Sequence, residues 1–248
     1  MTWKYFWLSL SVMVLFSVGP SQDCGKIQES QARYIAFGDS ATAGADQPTY
    51  PQVLEALLHA NVVNEGKGGE TAQEGVNRLQ SILRGVSYPK AQSLLYWEGG
   101  NDLIDFVQSV DPYLQYSPKD PDYPYSRELD QALAKIGEAV ESAVQTAQRH
   151  NLQVYVATYF YLLPFVAPCD AVPVPFLNKA QVEKTNDYID LLNRVIRETA
   201  SNFRDITLVD INQELGALLG DKDNFVNCNH PSGEGNQLIA QEWFEHLQ

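Results

Sequence analysis

The sequence predicts an α/β fold, with a parallel sheet covered by helices on both faces. Two observations carry this. Five short apolar runs, at residues 33–37, 61–64, 93–97, 152–160 and 206–209, each stop near Gly, Asn, Asp or Pro. Helical patterns separate them. Unbroken apolar runs suit strands buried on both faces, and strand–helix alternation suits parallel pairing with right-handed crossovers.

The first run, 33–37, ends at Gly38. Residues 50–60 then place Val53, Leu54, Leu57 and Leu58 at helical spacing. After the second run, residues 71–84 open on Thr71, a candidate cap, and carry Val76, Leu79, Ile82 and Leu83. After the third, residues 126–149 start at Ser126 and keep Leu133, Ile136, Val140 and Val144 on one face. Residues 179–201 follow the fourth run with Val182, Tyr188, Ile189, Leu192, Val195 and Ile196. The last stretch, 234–247, carries Leu238, Ile239, Trp243 and Leu247. Two segments break the alternation: 109–125, with four prolines and four tyrosines, and 164–178, with four prolines and two phenylalanines. They follow the third and fourth runs, on the side where an open parallel sheet holds its site.

The chain has 248 residues, 44% hydrophobic and 19% charged, without repeats or low-complexity runs, which suits one domain. Its net charge of −14 repels phosphate backbones and anionic membrane surfaces, so no nucleic-acid partner is expected. Lys4 followed by a mostly apolar run from Tyr5 to Val18 reads as a signal peptide over 1–21, with the domain at 22–248 and a secreted or periplasmic destination. The run is short for a transmembrane helix, so no stable membrane insertion is expected after cleavage; an uncleaved anchor is the alternative. Cleavage removes Lys4 and no acid, which takes the net charge to −15. Of the three cysteines, Cys24, Cys169 and Cys228, none forms a Cys-x-x-Cys pair, so zinc and redox motifs are unsupported and one bridge is the natural arithmetic.

Four constellations carry chemistry. Gly38-Asp39-Ser40 follows the first run, where a serine on a sharp turn presents its hydroxyl and its own N–H together. Asn64 to Thr71 is a glycine-rich turn before a helix, without the Gly-Lys-Ser/Thr ending of a phosphate loop. It offers the Gly69 N–H. Gly99-Gly100-Asn101-Asp102 follows the third run. Asn101 can donate to an oxyanion, and Asp102 can cap a helix or form a turn. Asn227-Cys228-Asn229-His230-Pro231 precedes the last helix. His59, His150 and His246 sit at helix ends or near the chain end, which leaves His230 as the base within reach of a serine.

These blocks, in this order at strand ends, resemble the SGNH or GDSL hydrolases over nearly the whole chain beyond the leader. The similarity is greatest to the bacterial thioesterase, lysophospholipase and arylesterase branch. The resemblance implies a three-layer αβα, flavodoxin-like fold with five parallel strands in the order 2-1-3-4-5. It implies Ser40 as nucleophile and His230 as base, and an oxyanion hole of Ser40 N–H, Gly69 N–H and Asn101. It also implies a small-molecule ester substrate and neither metal nor organic cofactor. Where the family carries aspartate three residues before the histidine, this chain has Asn227. Asn227 is expected to orient His230, with Asp221 or Asp223 as substitutes. With the two loops on one face, Cys169 and Cys228 are expected to pair and pin the histidine loop. Tyr113, Tyr116, Tyr123, Tyr125, Phe165 and Phe176 are candidate walls for an acyl groove or a sugar. Competing readings are a polysaccharide O-acetylesterase, a non-catalytic lipid or carbohydrate binder, and a flavodoxin-like cofactor binder using residues 40–44.

Overall fold

The computed structural model describes residues 31–85, 88–163, 177–216 and 219–248. The leader, Cys24, Cys169, Phe165 and Phe176 therefore lie outside the described residues.

Five parallel strands, β1 (Tyr34–Gly38), β2 (Val62–Gly66), β3 (Ser93–Trp97), β4 (Gln153–Ala157) and β5 (Ile206–Val209), form one sheet in the order β2-β1-β3-β4-β5. The helices are α1 (Ser40–Ala43), α2 (Tyr50–Leu58), α3 (Ala72–Arg84), α4 (Gly100–Val110), α5 (Ser126–Arg149), α6 (Lys179–Ser201), α7 (Ile211–Leu215) and α8 (Gly233–His246), with a 3-10 turn at Lys222–Asn224. Helix α5 packs on both α3 and α6, while α2 packs on α8. None of these helices is long and apolar enough to cross a membrane.

The strands carry the buried pattern that a doubly covered sheet demands. All five residues of β3 are buried, as are the last four of β1. Phe37 stacks on Tyr96 from the neighbouring strand on one face. On the other, Trp97, Tyr50 and Trp243 pack together, with Tyr50 stacked on Trp243 at 5.8 Å. Each such ring pair adds about 0.5–1.5 kcal/mol beyond its buried area.

Local signals set the helix starts. Thr49 N–H donates to Gln52 Oε1 (2.9 Å), and Thr71 N–H to Glu74 Oε2 (3.1 Å), so each helix satisfies an otherwise orphaned donor. Asn178 and Gln181 exchange the same pair of bonds before α6. Helix α4 starts earlier than in the sequence reading, which has a glycine turn with Asp102 as a helix cap or turn former. Gly99, at φ 121°, adopts a conformation that favours glycine and delivers the chain directly into a helix.

The order reverses at β1: the chain steps outward to β2, then returns past β1 to β3. The carboxyl ends of β1 and β3 therefore diverge into the crevice where sheets of this type hold their ligands.

Candidate functional site

Ser40 opens α1 directly after β1. Gly38 permits this turn, because a Cβ there would lie 2.4 Å from the Trp97 carbonyl oxygen. Asp39 caps the helix, its Oδ1 accepting the Ala41 N–H at 2.8 Å, while Tyr159 Oη donates to its Oδ2 at 2.7 Å. Asp39 is 2% exposed, and burial pushes its carboxyl up to about 6 against the lowering effect of the two hydrogen bonds. As the first residue of a helix, Ser40 has an N–H with no intrahelical acceptor.

Tyr159 is itself held by a helix. Asn193 of α6 accepts the Tyr159 N–H and donates to its carbonyl, both at 2.7 Å, a side chain standing in for a neighbouring strand. Seven residues earlier on the same helix, Asn186 does the same for Leu162, at 2.9 and 3.2 Å.

The glycine-rich turn after β2 lies against α1. Lys67 N–H donates to the Gly38 carbonyl at 2.8 Å, and a Cβ on Gly68 would lie 3.7 Å from that of Ser40. Gly69 has φ 77°, with open space where a Cβ would stand. Asn101 Nδ2 donates to the Glu70 carbonyl at 2.9 Å. An amide carries two N–H donors, so one fixes the side chain and the second remains for the cleft that Asn101 lines with Ser40. Asp102 caps a helix, as its type suggests, but the helix is α3: Oδ2 accepts the Ala72 N–H at 2.7 Å.

Glu70 is buried and clamped by Arg78, whose Nε lies 2.8 Å from Oε2. The guanidinium also reaches Glu65 at 3.2 Å and stacks 4.0 Å over Phe37. Burial opposes ionisation of Glu70, but the Arg78 hydrogen bonds and charge outweigh it and hold the carboxyl below its ordinary value. Glu98 directly follows β3 and is 1% exposed, with neither carboxyl oxygen hydrogen-bonded among the described residues. Burial first, then the charges of Asp39 and Glu70, push it up to about 11, so it is a neutral acid at pH 7. Gly75 of α3 makes room for it, its missing Cβ lying 3.0 Å from Oε1.

His230 sits in the loop before α8. Asn227 Oδ1 accepts the N–H groups of Asn229 (3.1 Å) and His230 (2.8 Å), and His230 Nδ1 lies 3.0 Å from Oδ1 and 2.9 Å from Nδ2. Val226 N–H donates to the His230 carbonyl at 3.0 Å, and Phe225 bridges Pro231. Cys228 is fully buried within the loop. Of the expected substitutes, Asp221 has its Oδ1 accepting the Asp223 N–H, while Asn227 contacts the ring. Asn229, beside the histidine, lines the cleft with Ser40.

That cleft is mostly apolar. Leu103, Ile104 and Val107 of α4 form one wall, Ile189 and Leu192 of α6 another, and Tyr159, Phe160 and Leu162 the connection. The tyrosines expected to wall it do not line it. Tyr113 is 61% exposed, Tyr116 stands on the surface, and Tyr123 bonds Tyr188 Oη at 2.8 Å from behind the wall. Among the described residues, no group of three or more His, Cys, Asp or Glu is placed to hold a metal ion.

Sequence reasoning missed Tyr159, Glu98, the Glu70–Arg78 pair and the α4 wall. Glu98 stands at a readable position, directly after the third run, whereas Tyr159 falls inside the fourth run (152–160), whose strand ends at Ala157.

The profile of the GDSL-like lipase/acylhydrolase family matches residues 36–238. No curated protein sequence matches the chain. Among solved structures, the chain is similar to a lipase/acylhydrolase from Enterococcus faecalis (18% identity, TM-score 0.59), covering 87% of this chain and 95% of that one. It is similar to an acetyl xylan esterase (17%, 0.59, covering 87% and 99%). It is similar also to the psychrotrophic esterase EstA from Pseudoalteromonas sp. (15%, 0.55, covering 86% and 95%). At these identities the likeness to solved structures is one of fold.

Proposed function

The chain belongs to the GDSL-like lipase/acylhydrolase family, and from that premise we propose that it hydrolyses carboxylic esters of apolar acyl chains through an acyl-serine intermediate. The observation that carries the reading is the cleft in which Ser40, Asn101 and Asn229 meet beside an apolar wall.

Ser40 Oγ attacks the acyl carbonyl carbon while its proton passes to Nε2 of His230. The carbonyl oxygen becomes an oxyanion held by the N–H groups of Ser40 and Gly69 and by Asn101 Nδ2. Collapse breaks the bond to the alcohol oxygen, which takes the proton from His230. Water, deprotonated by the same ring, then releases the acid and frees Ser40. The acyl chain lies along Leu103, Val107 and Leu192.

Asn227 sets the rate of this cycle. A base needs Nε2 bare, hence a proton on Nδ1. Asn227 Oδ1 can accept that proton's bond but already takes two backbone N–H groups, and Nδ2 at 2.9 Å serves the opposite tautomer equally well. The amide also brings no charge to stabilise the imidazolium.

The same reading takes residues 1–21 as a signal peptide and the protein as exported. It pairs Cys228 with Cys169; the full burial of Cys228 in the histidine loop suits such a bridge.

The test compares p-nitrophenyl acetate and octanoate hydrolysis by the protein and by Ser40→Ala. Activity on octanoate, abolished in the variant, is expected. Acetate turnover alone favours removal of acetyl groups from a polysaccharide. No turnover by either protein leaves a binding protein on this fold.

A further inference from the structure

Ser40 and His230 come from opposite ends of the chain, and nothing in their own blocks fixes their separation. An aspartate beside the ring would anchor it by a charge-assisted bond. Here an amide stands in that place, and the loop that carries the ring runs directly into α8.

That loop is short and stiff on the α8 side. Two residues, Pro231 and Ser232, join His230 to Gly233, and proline restricts the first of them. The Ser40 segment is equally short: α1 ends at Ala43, and the chain then runs through Asp46 and Gln47 into α2. Among the described residues the two segments meet at Asp46 and Gly233. Asp46 Oδ2 accepts the Gly233 N–H at 3.0 Å, and the Asp46 carbonyl accepts Asn236 Nδ2 at 3.4 Å. The backbones come so close that a Cβ on Gly233 would lie 2.5 Å from the Gln47 carbonyl oxygen. The Gly233 N–H is an orphan donor of the first helical turn, and a carboxylate there also meets the positive end of the helix dipole.

The geometry points to Asp46 as a positioning residue, whose carboxylate on Gly233 holds the histidine loop in register with the segment that presents Ser40. The inference rests on the Ser40–His230 reading above. Asp46 touches no reacting atom; it acts through Pro231 and Ser232, which join Gly233 to His230. Gly233 is the other half of the contact, because a larger residue forces the two backbones apart.

The experiment compares Asp46→Ala, Asp46→Asn and Gly233→Ala, by p-nitrophenyl butyrate kinetics and by imidazole ¹H–¹⁵N spectra of each protein. Displacing a base by about 1 Å costs up to about a hundredfold in rate. Asp46→Ala is expected to lower kcat about tenfold or more with KM within about twofold, and Gly233→Ala to do likewise. Asn can still accept the Gly233 N–H, so Asp46→Asn is expected to recover most of the rate. The His230 ring signals should move in Asp46→Ala while those of His59, His150 and His246 stay. Unchanged kcat in Asp46→Ala, or unmoved His230 signals, overturns the proposal. So does an equal loss in Asp46→Asn and Asp46→Ala that follows a lowered melting temperature. If the unaltered protein hydrolyses no ester, the functional reading fails by itself, and the His230 signals alone decide whether Asp46 places the ring.

Discussion

Glu98→Gln exchanges a buried neutral acid for a neutral amide of the same shape. In the folded protein the carboxyl stays protonated up to about pH 11, held there by burial and then by the Asp39 and Glu70 charges. In the unfolded chain it ionises near its ordinary value of 4.5. Between these limits the folded state binds one more proton than the unfolded state. Stability from this group is therefore complete below about pH 4.5 and falls as pH rises, by about 1.4 kcal/mol per pH unit. At pH 7 the loss is about 3 kcal/mol, a large share of the 5–15 kcal/mol typical of a domain. Glutamine titrates in neither state and carries no such loss. Urea unfolding of both proteins at several values between pH 5.5 and 8.5 gives the difference in stability at each. That difference is expected to grow in favour of Glu98→Gln by about 1.4 kcal/mol for every pH unit. A fixed cost from the amide's extra N–H shifts the line without changing its slope, and the linkage of every other group cancels. Parallel curves would mean that Glu98 ionises in the folded protein, and would refute the reasoning.

Asn227→Asp gives both carboxylate oxygens to the ring and the two backbone donors, leaves only the productive tautomer satisfied, and is expected to raise kcat about tenfold to a hundredfold, within the roughly 10⁴ that such a charge is worth elsewhere; steady-state kinetics check it, and a fall would show a loop adapted to the amide. Val107→Trp fills the α4 wall of the cleft, so kcat/KM for octanoate should drop about tenfold or more while acetate is little changed, read from the two p-nitrophenyl esters. Alkylation of the unreduced protein should label one cysteine of three by intact mass, and three labels would exclude the Cys169–Cys228 bridge.

The sheet was legible because its strands are buried on both faces. Runs such as residues 93–97 have no polar face to confuse with a helix, and each ends on a turn residue. The Ser40, Gly69 and Asn101 blocks were legible for the same reason: each follows a strand, and strand ends converge. Helix α4 was not, because Gly99 and Gly100 read as a turn. The positive φ of Gly99 and the close packing of Gly100, whose Cβ would lie 2.8 Å from Tyr159, explain their presence at a helix start. The cleft wall was missed with it. The tyrosine-rich segment drew attention by composition, yet its order comes from polar anchors. Lys119 pairs with Asp187 and Asp190, and Lys184 reaches the carbonyl of Leu114 at 3.0 Å, bonds between segments that no local pattern reveals. Glu98 reads in sequence as an ordinary exposed charge. Its neutrality arises only from enclosure by Gly75, Glu70 and Asp39.

The bonds from Asn101 to the Glu70 carbonyl and from the Ala72 N–H to Asp102 run in opposite directions between the same two segments. Glu70 to Ala72 and Asn101 to Asp102 are thereby a single cassette, locked like a hook in an eye. The side chains of this lock come from Asn101 and Asp102 alone, because Glu70 and Ala72 contribute main-chain groups that a change of side chain leaves in place. As far as this lock is concerned, a variant library would therefore tolerate many side chains at 70 and 72 and few at 101 and 102, an asymmetry that selection for turnover would expose.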